Sequence, residues 1–299
     1  LQAARVFGAD PDTLTLVNAG VNTVYRAGDL TLRLCSAHFR PASFLTPPLE
    51  WLCWLHAHGA PVCQPLSTPH GDWTVTVLEA GEPFLATATR WVDGPRLSDV
   101  PPTPEVYREY GRSIGRLHRA SRGFALPPGT PHMLYPGEAG VFPRWDRLWT
   151  RAARHTGGHP ALERAFARLT PSVLAWAQEE SVLTHGDLRP GNVIWHGGRA
   201  VVIDFDEPVW GPAALDLARA GLELSAARRP ILLAALLDGY RQEHPLAAAW
   251  DARLPELMAA RAALMAAWSA EDGDGGAGTG SGVVVSLPRL LERLEREDF

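Results

Sequence analysis

Apolar residues alternate with polar ones in five short runs near the N-terminus, then recur every three or four positions through most of the remaining chain. A period of two belongs to a half-buried strand, and one near 3.6 to an amphipathic helix. Thr13 to Val17 alternates in the strand manner, and Val21 to Arg26 follows after Asn18-Ala19-Gly20. Leu30 to Cys35 continues the pattern through Gly28-Asp29, a hairpin signal. Trp73 to Leu78 and Phe84 to Trp91 are two further strands across Gly81-Glu82-Pro83. Between these groups, Leu49, Leu52 and Leu55 stand at helical spacing behind Pro47-Pro48, with the helix ending near Gly59. Five strands and one helix bury too little alone, so a second body must cover them.

That body reads as mainly helical. Pro101-Pro102-Thr103-Pro104 opens a helix to about Ala120 with Tyr107, Tyr110, Ile114, Leu117 and His118 on one side. Residues 123–143 are rich in Gly and Pro and read as an irregular excursion, followed by helices at 144–155 and 160–178. Short strands at 193–195 and 200–203 join at Gly197-Gly198, and helices follow at 212–225, 228–242 and 253–269. The stretch from Glu271 to Gly282 has almost no apolar content and reads as a linker, before a short amphipathic helix through Leu290, Leu291 and Leu294. The expected division is an N-terminal lobe over 1–91, a catalytic lobe over 92–270, and a linker with terminal helix over 271–299. The class is α+β.

Composition narrows the function. With 28 basic and 33 acidic side chains among 299 residues, the formal charge of −5 gives no support to nucleic-acid binding. Cys35, Cys53 and Cys63 are odd in number and lack a CxxC spacing, which argues against a disulfide framework or a structural zinc site and suits a reducing compartment. The first residues lack the apolar run of a signal peptide, and no uninterrupted apolar stretch reaches the roughly 18 residues of a membrane span. The expectation is a soluble cytoplasmic protein with no membrane association.

The strongest chemical signal is His185-Gly186-Asp187-Leu188-Arg189-Pro190-Gly191-Asn192, followed by Val201-Val202-Ile203-Asp204-Phe205-Asp206. Phosphoryl transfer consists mostly of placing a hydroxyl in line and neutralising charge on the triphosphate. A carboxylate on a rigid loop can orient and deprotonate the hydroxyl. A carboxamide five residues on can offer a metal its neutral oxygen, and a second carboxylate at the end of a buried strand can hold the same ion. Mg²⁺ favours such hard oxygen ligands and needs few from the protein.

These two segments resemble the catalytic loop and metal-binding segment of the aminoglycoside phosphotransferase and choline kinase-like family, which shares the protein-kinase fold. The nearest likeness is to the branch of homoserine kinase-like and bacterial stress-response kinases, on Gly211-Pro212 and Asp216-Leu217 after the metal segment. The resemblance covers about residues 14–242. It implies a bilobal protein-kinase-like fold, with a small five-stranded antiparallel N-lobe and a mainly helical C-lobe. It also implies ATP and Mg²⁺ as cofactors, Asp187 as catalytic base, Asn192 and Asp204 as metal ligands, and His185 as support for the loop. Arg189 either braces the transferring phosphate or pairs with an acid on the rim. Asp206 stands where protein kinases carry glycine, with a metal-related role open to it; Asp216 and His118 read as structural.

By the same resemblance Gly20 and Asn22 belong to a phosphate-covering turn, with Tyr25 and Arg26 matching a Tyr-Arg pair. Arg33, in Leu32-Arg33-Leu34, is the cation for the α- and β-phosphates, and Glu50 its ionic partner. Thr89 to Val92, including Trp91, is the connector that would meet the adenine, between apolar walls from Ile203 and Val75 or Leu78. Trp145, Trp149 and Trp210 lie in segments expected on the acceptor side. The implied function is transfer of the γ-phosphoryl group to a hydroxyl of an amino alcohol, amino acid or aminoglycoside. Two other readings stay open: a serine/threonine protein kinase of the stress-response type, and a catalytically silent nucleotide-binding protein. A homodimer also stays open.

Overall fold

The computed structural model describes residues 2–20, 22–38, 42–125, 158–176, 182–206, 208–247 and 249–271, with residues 292, 295 and 296. The expected 144–155 helix, most of the 123–143 excursion, the linker and most of the terminal helix lie outside the described residues, as do Trp145 and Trp149.

The N-terminal lobe is an antiparallel sheet of β1 (Leu14–Ala19), β2 (Asn22–Ala27), β3 (Leu30–Ser36), β4 (Pro65–Leu66), β5 (Val75–Glu79) and β6 (Glu82–Arg90). The order is β1-β2-β3-β6-β4, with β5 also paired to β6. The expected five strands are thus six. The addition, β4, has two residues, too few to show alternation, and it pairs only with Thr89 and Ala88. Alternation sets the faces of the sheet. Leu32, Leu34, Ala86 and Ala88 face a small core closed by Ala3, Ala4 and Phe7 in and beside α1 (Gln2–Val6), a helix too short to announce itself by periodicity. Between them in sequence, Thr31, Arg33, Thr87 and Thr89 turn to the opposite face and line a cleft.

Helix α2 (Ala42–Ala57) starts before Pro47 and Pro48 rather than after them. The two prolines forgo intrahelical bonds, and burial of Leu45, Trp51, Leu52 and Leu55 outweighs that loss. Trp51 reaches the core of the helical lobe, where its ring meets Phe205 edge-on at 5.3 Å. A second tie crosses between the lobes: Val202 N donates to Pro61 O at 2.8 Å and Cys63 N to Val202 O at 3.1 Å.

The C-terminal lobe is mostly helical. α3 (Pro104–Ser121) opens on Thr103, whose hydroxyl accepts from Val106 N at 3.4 Å, with Pro104 at the first helical position. α4 (Pro160–Trp176), α5 (Ala214–Ala226), α6 (Pro230–Glu243) and α7 (Ala249–Glu271) follow. Two small antiparallel ladders hold the loops: β7 (Val182–Thr184) with β10 (Val209–Gly211), and β8 (Val193–His196) with β9 (Arg199–Val202). Gly197 and Gly198 turn between β8 and β9 at φ of 54° and 80°, the left-handed values a two-residue hairpin requires. No described helix is long and apolar enough to cross a membrane, and all three cysteines are free thiols.

Candidate active site

The loop between β7 and β8 is held from beneath by Asp216, which lies near the start of α5. His185 N donates to Asp216 Oδ2 at 2.7 Å and Gly186 N to Asp216 Oδ1 at 2.9 Å. Asp216 also meets His118 Nε2 at 2.9 Å, and His118 Nδ1 meets the Tyr240 hydroxyl at 3.0 Å. Burial pushes the Asp216 carboxyl upward, but the bond from His118, the nearby His118 ring and the backbone amide of His185 outweigh it, so the group rests below the usual carboxylate range. His185 is fully buried, accepts from Asp187 N at Nδ1 (3.3 Å) and meets Ile203 O through Nε2 at 3.0 Å. The network therefore assigns it the neutral tautomer protonated at Nε2, a brace between the loop and the segment carrying Asp204.

Asp187 is the most heavily bonded acid of the site. Its Oδ1 accepts from Arg219 Nε at 2.7 Å and Arg261 Nη2 at 3.0 Å. Its Oδ2 accepts from Asn192 Nδ2 at 3.1 Å and Arg189 Nε at 3.3 Å. Burial alone would raise its pKa, and Arg219, Arg261 and Arg189 override that, holding the carboxyl far below the usual range. Arg189 pairs with Asp187 itself rather than a rim acid, while also lining the cleft. Asn192 turns its amide nitrogen to Asp187, donating to Oδ2 and, at 2.9 Å, to the backbone oxygen.

Asp204 stands past the end of β9 at φ 69°, a left-handed value that costs a non-glycine residue about 1–2 kcal/mol. Its side chain is half exposed to the cleft, with Arg33 Nη1 at 3.9 Å from Oδ1. Arg33 is in close ionic contact with Asp206 Oδ2, which also accepts from Asn22 Nδ2 at 2.9 Å. The expected Arg33–Glu50 pair is not what forms. Glu50 is exposed on α2 and outside the cleft lining, and Asp206 supplies the carboxylate. The reason is reach: Asp206 lies in the segment directly beneath β3, whereas Glu50 faces solvent.

The cleft between the lobes measures about 470 Å³ and is lined by Gly20, Asn22, Thr89, Trp91 and Ile203 among others. Val75 and Leu78 do not reach it; β5 pairs with the Glu82–Ala86 half of β6, away from the cleft end, and Leu78 is exposed. The apolar walls come instead from Val24 on β2 and Ile194 opposite, with Ile203. Trp91 N is taken by Asp29 O at 2.7 Å, and the Trp91 ring lies under the Arg26 guanidinium at 4.5 Å. Trp210 lies in β10, packed on the helical core.

The donor set fits a hard divalent cation. Asn192 keeps Oδ1 out of its hydrogen bonds, and the Asp204 carboxylate opens on the same cleft. Among the described residues no group of three or more His, Cys, Asp and Glu side chains could hold a metal, and Mg²⁺ asks for few protein ligands because it keeps several waters and takes phosphate oxygens.

A cleft between a sheet lobe and a helical lobe, lined by Asn192 and Asp204 with Asp187 hydrogen-bonded to Asn192, belongs to a protein-kinase-like fold. The chain belongs to the phosphotransferase enzyme family, which matches residues 13–269. It is 21% identical over 277 residues to an amicoumacin kinase of Bacillus subtilis (strain 168), covering 87% of this chain and 80% of that protein. Among solved structures, an amicoumacin kinase in complex with AMP-PNP and Ca²⁺ superposes at TM-score 0.80 with 20% identity, over 99% of this chain and 92% of that one. A microcompartment-associated aminopropanol kinase superposes at 0.74 with 24% identity, over 99% and 93%.

Proposed function

We propose that the protein transfers the γ-phosphoryl group of ATP to a hydroxyl of a small molecule, with Asp187 orienting that hydroxyl. The observation that supports this reading is the bonding of Asp187 to Asn192, which lines the cleft between the lobes together with Asp204 and Arg33. Val24 and the Ile194–Ile203 pair would hold the base, and Arg33 and the β1–β2 turn, in which Gly20 lets the backbone pass close, would face the phosphates. Asn192 Oδ1 and the Asp204 carboxylate would hold Mg²⁺, which would neutralise charge on the phosphates. The acceptor oxygen forms a bond to the γ-phosphorus as the bond to the bridging oxygen breaks, ADP departs with that electron pair, and the hydroxyl proton passes toward Asp187. A carboxylate held so firmly anionic is a better orienter than proton acceptor, and a loose, dissociative transfer asks mainly for orientation.

The acceptor is of the amino alcohol, amino acid or aminoglycoside kind. Support comes from the family and from the amicoumacin and aminopropanol kinases that share the fold. The test is ADP release by the purified full chain with Mg-ATP against a panel of such acceptors, for wild type and Asp187→Asn. Wild-type turnover with at least one acceptor, reduced about 10²–10⁴-fold in the variant, is expected. Labelling of protein substrates with no metabolite phosphorylated would instead identify a protein kinase.

A further inference from the structure

The donors to Asp187 divide by place. Arg219 of α5 and Arg261 of α7 hold Oδ1, and neither lines the cleft; Arg189 and Asn192 hold Oδ2, and both line it. A carboxylate offers about four lone-pair sites, and four N–H donors fill them, so an incoming hydroxyl must take the place of one. Asn192 is buried and fixed by its second bond, to the Asp187 backbone oxygen at 2.9 Å. Arg189 is the loosest of the four. Its bond is the longest, 3.3 Å from Nε, and its side chain is 22% exposed, against 16% for Arg261 and 5% for Arg219. Among the described residues Nη1 and Nη2 of Arg189 make no hydrogen bond. Gly191 is what lets this guanidinium lie back on Asp187. A Cβ there would stand 2.6 Å from Arg189 Nη1. The backbone is pinned at that point, with Arg96 Nη1 donating to Gly191 O at 2.7 Å and Asn192 N to Arg189 O at 2.9 Å.

We propose that Arg189 changes partner when the triphosphate binds: its guanidinium leaves Oδ2 of Asp187 for the γ-phosphate, and the acceptor hydroxyl takes the vacated place. This rests on the phosphotransferase reading and deepens it. The exchange is balanced. Arg189 gives up a carboxylate and gains a phosphate that its fork can grip with two donors, while Asp187 loses an N–H and gains an O–H. A hydroxyl that arrived first would displace a guanidinium with no phosphate to receive it, and ADP, lacking the γ-phosphate, leaves Arg189 where it is. Triphosphate and acceptor therefore raise each other's affinity by the same factor. Asp187 admits a hydroxyl only when there is a phosphoryl group to move. The transfer itself is unchanged: the hydroxyl oxygen bonds to phosphorus, the bond to the bridging oxygen breaks, ADP leaves with that electron pair, and the proton passes to Asp187.

Titration calorimetry on the full chain with Mg²⁺ reads both halves of the exchange. Wild type should bind AMP-PNP about tenfold or more tighter than ADP. Arg189→Met should bring that ratio below about threefold. Gly191→Ala, which pushes the guanidinium off Asp187 but keeps it for the phosphate, should hold the ratio at or above that of wild type. For the acceptor half, 2-aminoethanol, L-homoserine and kanamycin are ranked by ADP release from Mg-ATP, and the best of them is titrated into each nucleotide complex. It should bind wild type about tenfold or more tighter with AMP-PNP than with ADP, and both variants should cut that dependence below about threefold. An AMP-PNP-to-ADP ratio unchanged by Arg189→Met would overturn the proposal while upholding phosphotransfer. So would an acceptor affinity equally dependent on the nucleotide in wild type and both variants. No ADP release with any hydroxyl compound would remove the phosphotransferase reading and this inference with it. Should Arg189→Met fail to fold, Gly191→Ala decides, and a nucleotide dependence of acceptor binding as large as that of wild type would overturn the exchange.

Discussion

Asp187 and Asp204 carry opposite kinds of stress. Asp187 is anionic in a nest of guanidinium groups, so removing its charge leaves the buried Arg219 with only the distant Glu223, 3.7 Å away, as a carboxylate partner. Losing one member of a buried pair costs about 3–5 kcal/mol, less where solvent reaches, and Asp187 is 28% exposed. Asp187→Asn should therefore lower stability by about 2 kcal/mol in urea unfolding as well as cutting turnover about 10²–10⁴-fold. A stability equal to wild type would mean the arginines re-pair elsewhere. Asp204 instead bears left-handed backbone strain at φ 69°, which glycine alone accepts freely. Asp204→Gly should unfold at higher urea than Asp204→Ala by about 1 kcal/mol, with both variants losing Mg²⁺-dependent turnover.

Arg219 and Arg261 escaped the sequence reading, although each left a trace. Arg219 follows Asp216 by three residues on one helix, hence on the same face, so once Asp216 was placed under the loop its neighbour one turn on was a candidate. Arg261 is a lone charge in Ala259-Ala260-Arg261-Ala262-Ala263, and a charge inside a small apolar run implies a buried partner. What sequence could not convey was that α5 and α7 bring both to one carboxylate oxygen. Glu50 was expected opposite Arg33 on the resemblance alone, and it is exposed on α2 while Asp206 meets Arg33.

At the scale of elements, the long alternating strands and the helices beyond residue 160 were legible because each is periodic over many residues, while β4 and α1 were not because neither completes a pattern. The packing of α3 on α6 had a plainer sign: Gly111, Gly115 and Gly239 sit inside helices, where glycine costs about 1 kcal/mol against alanine, so close approach is the compensation. A Cβ on Gly111 would lie 1.9 Å from Leu236 O, and one on Gly239 1.9 Å from Arg108 O. Neither backbone oxygen can move without parting the helices. Gly111→Ala and Gly239→Ala should each destabilise by about 3 kcal/mol in urea unfolding. Because α3 carries His118 and α6 carries Tyr240, both on the Asp216 network, turnover should fall in the same variants even where they remain folded.

The whole molecule is joined where the Pro61–Cys63 segment crosses Val202 and where Trp51 meets Phe205, so the stability of the two lobes and of the site rises and falls together. One buried group beneath the site should make that stability pH-dependent in a readable window. His244 bonds Tyr240 through Nδ1 at 3.0 Å, and its pKa is depressed from 6.5 to about 4. Burial is the main cause, with the neighbouring His118, Arg122 and Arg119 adding to it against the Pro245 carbonyl. Between those two values the unfolded chain binds a proton that the folded chain refuses, so stability is full above about pH 6.5 and declines as pH falls toward 4. The depressed carboxylates Asp187 and Asp216 enter only near and below pH 4, the range in which they protonate when unfolded. From pH 6.5 to 5 the wild type should lose about 1 kcal/mol through His244. His244→Gln, which keeps a hydrogen-bonding end for Tyr240 without the titration, should show a correspondingly flatter decline in urea midpoint. Parallel slopes for the two proteins would place the pH response elsewhere in the chain and free His244 of any part in it.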